Sequence, residues 1–475
     1  MSTLPFKPEL FFGGAWHASA TSAAVFDKFS TEPAWSVALP SATQIAEAVS
    51  IAHAAHRAGA PTEHERARIL ERAIDIVASR ADAFRLLMAV EAGFPSRDAD
   101  GEISRCGETL KLSAIAARQL TGETIPFGGA PGGAGRMGYT VPMPVGPVLA
   151  VTPFNSPLNT VTHKIAPAFA AGNPVILKPS LHTPGTAALL VQCLHEAGVP
   201  AGFLGLLHGG PDVVSAIIED QRIRFITFTG GTAAGASIQS RAGLRRTSME
   251  LGSIASTILC ADADLKAAIP KVVAASFRKA GQVCSSIQLL HVARPLYEQV
   301  VDEICAGGGA LSVGDPCLAA TDVGPLVSVA AAERVEAWVN EAVAQGARAP
   351  LAGKRDRACY TPAVLTDVTV DMRVTCEEIF GPVVSIIPFD EFGEAIERVN
   401  ASPYGLACGV FTRDLGIVDR AVAGIDVGGL HINETSSSRL DLMPYGGVKA
   451  SGFGHEGPHY AVREMTEDKL VTIRM

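Results

Sequence analysis

The feature that most constrains this chain is a run of short apolar strands alternating with helix-length segments, beginning at Val145. Residues 148–151, a helix to Ala171, residues 175–177, a helix from Gly185, residues 203–207, a further helix and residues 223–228 follow in order. Strands separated by helices need crossover connections, so the segment reads as a parallel α/β sheet with right-handed crossovers. Gly198 and then Pro200 stop the second helix, glycine just past the last turn and proline beyond it. A second α/β series starts near Thr257 and runs past Asn433, with 273–280 as an early helix and 383–387 as a buried strand. Ahead of both, residues 10–29 alternate around Gly13-Gly14 as one short hairpin, and helical spacing dominates from Ser41 to about Leu120. At 475 residues the chain exceeds the ~250–300 that one hydrophobic core organises, so several packing units are expected.

Hydrophobic residues make up 48% and charged residues 18%, which describes a packed chain and excludes a disordered or fibrous one. The net charge of −9 offers polyanions no general attraction, so nucleic acid is not the expected partner. No apolar run approaches the ~18 residues of a membrane helix. The stretch from Leu10 to Trp16, followed by Ala18-Ser19-Ala20, imitates a signal peptide, but Glu9 and a weakly basic start argue against one. Nine scattered cysteines without a C-x-x-C pair support neither a disulfide framework nor a structural zinc site; no metal is expected, and a reducing cytoplasm fits best.

Gly133 to Gly138 satisfies G-x-G-x-x-G by letter only. No strand precedes it and Pro142 and Pro144 prevent a helix after it, so the glycines read as a flexible connection. By contrast, residues 223–228 run into Thr229-Gly230-Gly231-Thr232, a strand, a glycine turn and a helix start whose backbone N–H groups suit a pyrophosphate. Cys284, in Gly281-Gln282-Val283-Cys284, follows a glycine turn where backbone donors can stabilise a thiolate. Glu250 is a carboxylate among apolar neighbours at a strand end, where desolvation raises its pKa toward that of a general base. Asn155 follows the first parallel strand, from which an amide can donate to an oxyanion. Lys178 stands at the carboxyl end of the next, where open α/β sheets bind ligands.

Taken in order, Pro153-Phe154-Asn155, Lys178-Pro179-Ser180, Phe228-Thr229-Gly230, Glu250-Leu251-Gly252, Gly281-Gln282-Val283-Cys284, Glu377-Glu378-Ile379-Phe380-Gly381-Pro382 and Pro444-Tyr445-Gly446-Gly447 resemble the motifs of the aldehyde dehydrogenase superfamily over nearly the whole chain. The resemblance implies a parallel-sheet dinucleotide-binding domain (1–121 and 142–251), a second α/β catalytic domain (252–450) and a small β oligomerisation element (122–141 and 451–475) that forms a homodimer or homotetramer. It implies oxidation of a small-molecule aldehyde to an acid with NAD or NADP. Cys284 would be the nucleophile, Asn155 the oxyanion donor and Glu250 the base that activates water. Lys178, Ser180, Leu181, Gly230, Gly231, Glu378 and Phe380 would hold the cofactor. Arg105, Leu158, Val283, Ser285, Arg439 and Tyr445 would line the substrate pocket, with Arg105, on a helix over 102–119, and Arg439 as candidate partners of an anionic substrate.

Two positions depart from the family pattern. Leu181 stands where NAD-preferring members commonly carry glutamate, so nothing there repels the 2′-phosphate of NADP and His182 can donate to it. Gly231 stands where serine is frequent, which loosens a phosphate contact. An acylating relative that passes a thioester to coenzyme A or phosphate and a catalytically silent homologue are the competing readings; Glu250 speaks against the first, and Cys284, Asn155 and Glu250 together against the second.

Overall fold

The computed structural model describes residues 4–475. Its first sheet has eight strands around a parallel centre of Leu204–Leu206, Val175–Lys178, Val148–Val151, Phe225–Thr229 and Arg246–Glu250. These strands are almost wholly buried because helices cover both faces, which is why they read as continuous apolar runs. One face packs on Glu63–Ser79, Ala81–Ala92, Ser96–Arg118, Asn159–Ala170 and Pro184–Glu196, and the other on Ala42–Ala58 and Pro211–Glu219. Ser41 with Gln44 and Thr62 with Glu65 form reciprocal capping boxes that start two of these helices. The edges are closed by antiparallel pieces, Leu10–Phe12 at one side and Gly452–Phe453 at the other.

The second sheet has seven strands, in the order Arg348–Leu351, Ala363–Thr366, Val383–Phe389, Ile287–Ala293, Ala255–Leu259, Ala407–Phe411 and Gly429–Ile432, parallel except for the first. A third unit is a ribbon in which Thr466–Arg474 pairs antiparallel with Arg136–Pro144 along its full length, flanked by Thr124–Ile125. Met137, Tyr139, Leu470 and Ile473 stand exposed on it.

Several sequence expectations need correction. Residues 10–29 are not one hairpin: Leu10–Phe12 pairs with Ala15–His17, and Thr21–Phe26 pairs with Pro33–Leu39. The glycine-rich stretch is no flexible connection from Arg136 onward, because the distant carboxyl-terminal strand supplies the partner that local sequence could not reveal. The helix carrying Arg105 starts earlier, at Ser96, with Pro95 before it. The helix expected over 273–280 is Leu265–Phe277; it ends where Lys279, Ala280 and Gly281 all take positive φ. Within 451–475, Gly452–Phe453 joins the first sheet and Ala461, Val462 and Met465 enter its core, so only Thr466–Arg474 belongs to the ribbon.

A buried ion pair helps tie the sheets together. Lys279 Nζ lies 2.8 Å from Glu102 Oε1 and donates to the Asn155 carbonyl at 3.1 Å. The same carboxylate accepts from Ser156 Oγ at 2.8 Å and from the Asn159 N–H at 2.9 Å. Burial works against ionisation of Glu102, yet Lys279 and Arg105 hold its carboxyl well below the usual range. Replacing Lys279 with methionine should therefore cost ~3–5 kcal/mol, because it strands a buried carboxylate. Denaturant unfolding of Lys279→Met measures this, and a loss under ~1 kcal/mol would contradict a structural role for the pair.

Candidate active site

A cavity of about 560 Å³ opens at the carboxyl ends of the first sheet's strands and reaches the second sheet. Its wall includes Asn155, Lys178, Ser180, Leu181, Gly230, Gly231, Cys284, Glu378 and Phe380, so the expected cofactor residues, the nucleophile and the amide are brought together. This is the crevice in which open α/β sheets bind ligands.

The cofactor end fits a dinucleotide. Lys178 donates to the Gly209 carbonyl at 3.4 Å, and burial brings its pKa down to about 8. Gly230 is required by packing, since a Cβ there would stand 2.6 Å from the Phe228 ring. Gly231 precedes the helix Thr232–Ala242 without any side-chain cap, leaving first-turn N–H groups for an anion. A Cβ at Gly231 would meet nothing within 4 Å, so the absent serine is not a steric requirement of this chain. Glu378 accepts from the Ser253 N–H at 2.9 Å, and burial pushes its carboxyl up to about 7. Phe380 sits edge-on to Phe154, with ring centres 5.9 Å apart. Gln288, on the central strand of the second sheet, donates to the carbonyls of Val374 and Glu377 and accepts from the Ile379 N–H, which clamps the segment carrying Glu378.

Cys284 is delivered by the left-handed turn. Gly281 has φ +69° and approaches the Gly381 carbonyl so closely that a Cβ would be 2.0 Å from its oxygen. Three residues on, the chain presents Cys284 just before the strand Ile287–Ala293. The thiol is half-buried and lies 3.2 Å from the Tyr445 hydroxyl; burial pushes it up to about 11, against the effect of that hydrogen bond. The expected thiolate is thus absent at neutral pH in the ligand-free chain, because desolvation outweighs the nearby donors. Glu250 ends its strand beside Thr229, and its Oε1 is buried without a partner. Burial, and next the charge of Glu456, push its carboxyl well above the ordinary range, as its apolar neighbours led us to expect.

The expected substrate residues divide. Leu158 is wholly buried in the core, just before the helix Asn159–Ala170 that packs on the first sheet. Arg105 is no free cation: it makes a two-pronged pair with Asp441, which also accepts from Asn159 Nδ2 and bonds His163. Arg439 is likewise committed, to Glu456 at 2.5 Å, with its guanidinium 3.8 Å above the Tyr445 ring; Glu456 in turn holds Lys164. Ser285 Oγ lies 3.2 Å from Ser437 Oγ, and Val283 is half-buried beside the nucleophile.

Sequence reasoning missed Arg278 and Asp441. Arg278 donates to Ser437 Oγ at 2.7 Å and is in no ion pair among the described residues; burial lowers its pKa, and Cys284 is among the groups whose charge it feels. Six residues separate it from Cys284, a spacing without meaning until the left-handed turn folds the segment back. Asp441 had no signal at all, since its partners come from two distant helices.

The aldehyde dehydrogenase family model matches residues 16–471, and the chain belongs to that family. Its members oxidise an aldehyde to a carboxylic acid with NAD or NADP, so the protein is an NAD(P)-dependent aldehyde dehydrogenase. It is similar to the 3-sulfolactaldehyde dehydrogenase of Priestia megaterium, with 43% identity covering 98% of each chain. Among solved structures it is similar to aldehyde dehydrogenase 21 from Physcomitrella patens in complex with the reaction product succinate (TM-score 0.96, 34% identity, 99% of each chain). The NADP-dependent glyceraldehyde-3-phosphate dehydrogenase of Bacillus halodurans, complexed with NADP, gives a TM-score of 0.96 at 30% identity over 99% of each chain. No described helix is long and apolar enough to cross a membrane.

The raised thiol pKa has a kinetic signature. Alkylation of Cys284 by iodoacetamide in the cofactor-free protein should accelerate ~10-fold per pH unit between pH 7 and pH 9, following the thiolate fraction. A rate that levels off below pH 8 would mean the thiol ionises far more easily than its surroundings imply.

Proposed function

We propose that the protein oxidises a small aldehyde carrying an anionic group to the corresponding acid, with release by water. The observation that carries this reading is Arg278, an arginine without a carboxylate partner among the described residues, one hydroxyl away from Ser285 beside the nucleophile. Arg105 and Arg439, neutralised by Asp441 and Glu456, frame the site rather than bind the anion. The relative named for 3-sulfolactaldehyde and the moss enzyme holding succinate support the same substrate class.

In the proposed mechanism the Cys284 thiol gives its proton up to solvent and the sulfur attacks the carbonyl carbon, while the Asn155 amide and the Cys284 N–H hold the developing oxyanion. A nicotinamide cofactor held by Lys178, Glu378 and the Gly230-Gly231 turn would supply the hydride acceptor. The thioester left on Cys284 is then hydrolysed by water that Glu250 deprotonates, which frees the acid and regenerates the thiol. Lys178 and Glu378 serve the riboses and the Gly230-Gly231 turn the pyrophosphate. Leu181 brings no carboxylate to the adenosine end, so NADP is accepted alongside NAD. The exposed apolar ribbon of Met137, Tyr139, Leu470 and Ile473 supports a homodimer or homotetramer, and free cysteines throughout support a cytoplasmic setting.

Glu250→Gln should slow steady-state turnover by ~10²–10⁴ if Glu250 is the base. Its effect on the first-turnover burst of reduced cofactor then divides the two steps. A surviving burst assigns Glu250 to hydrolysis alone, a lost burst assigns it to both steps, and unchanged turnover removes it from the mechanism. For the substrate, kcat/KM is compared for succinic semialdehyde and butanal with both cofactors. Arg278→Met should reduce the acidic aldehyde by ~1.5–3 kcal/mol and leave butanal nearly unchanged. Equal effects on the two substrates would dismiss Arg278 as the anion receptor.

A further inference from the structure

The proposed function leaves open what the enzyme requires at the carbon next to the aldehyde. Tyr445 bears on that position. Its side chain is 8% exposed, and its hydroxyl meets Cys284 Sγ, a weak acceptor, at 3.2 Å. The ring is immobilised on every side: Arg439 covers its face at 3.8 Å, Glu456 and Lys164 brace Arg439, and Tyr445 exchanges two backbone hydrogen bonds with Glu456, at 3.1 and 2.7 Å. Such a braced phenol is poorly suited to swing away when substrate arrives.

Once Sγ bonds to the carbonyl carbon, that carbon has three further substituents. Its oxygen belongs to Asn155 and the Cys284 N–H, and its hydrogen leaves toward the cofactor. The third substituent is the neighbouring carbon, two bonds from Sγ, and a group on it falls within the same shell around sulfur that the Tyr445 hydroxyl occupies. Covalent capture turns the thiol into a thioether sulfur, which still offers the phenol only a weak acceptor. A hydrocarbon there would leave the buried hydroxyl with that weak partner alone; a hydroxyl there would accept from it.

We propose that Tyr445 is a specificity-determining residue that hydrogen-bonds a hydroxyl on the carbon adjacent to the aldehyde, making 2-hydroxy aldehydes the substrate class. This rests on Cys284 being the nucleophile, as in the proposed function, but not on the anion reading. The test uses two pairs of aldehydes that differ only in that hydroxyl: lactaldehyde against propanal, and 3-hydroxy-4-oxobutanoate against succinic semialdehyde. The wild-type enzyme should favour the hydroxylated member of each pair in kcat/KM by at least ~10-fold. Tyr445→Phe, which keeps the ring under Arg439, should lower kcat/KM for the hydroxylated member of each pair ~10–100-fold more than for its partner. Comparing ratios within a pair cancels differences in intrinsic reactivity and any general loss of folded enzyme. A wild type indifferent to the hydroxyl, or a variant that loses both members of each pair equally, overturns the proposal; the second result would assign Tyr445 to the thiol instead. Hydroxyl selectivity in the neutral pair together with indifference to the carboxylate would overturn only the anion reading.

Discussion

The site depends on the ion pair between Glu102 and Lys279. Neither charge has solvent to turn to, and each is useful only because the other is there. Through it, a helix of the amino-terminal bundle, the loop bearing Asn155 and the turn bearing Cys284 share one set of hydrogen bonds. The amide and the sulfur come from segments attached to different sheets, and this pair bonds both of them. An exposed pair would contribute little; burial makes this one a precise joint whose failure would be expensive.

Around that joint burial favours the uncharged forms of the reactive groups. The Cys284 thiol and the Glu250 carboxyl are both pushed toward protonation by burial, and Glu250 keeps an oxygen without a partner. Full-time charge on either would be costly in so apolar a place. The cations nearby are mostly spent on carboxylates, as Arg105 is on Asp441 and Arg439 on Glu456. Arg278 is in no ion pair among the described residues, although Asp98 and Glu102 act on its charge.

The strands of the first sheet were legible because a parallel sheet covered on both faces makes each strand a continuous apolar run; Val148–Val151 falls where the sequence puts it. The residues that motif order singles out for cofactor and nucleophile line one cavity. What local sequence could not carry was pairing across long separations. The ribbon strand Arg136–Pro144 looked like a loop because its partner lies more than three hundred residues away. The helix before Cys284 looked longer than it is because three successive left-handed residues, two of them not glycine, have no signature in periodicity. Arg105 looked free because Asp441 is invisible from its own neighbourhood.

Gln288 has a mechanical consequence. Its amide fastens the segment of Glu378 to the strand Ile287–Ala293, and Cys284 enters that same strand only three residues before it begins. Glu378, proposed for a cofactor ribose, and Cys284, the proposed nucleophile, are therefore mounted on a single rail. If the two sheets rock against each other during a catalytic cycle, the gap that hydride must cross travels with the rail instead of opening and closing, and hinge motion is left free to govern entry and exit.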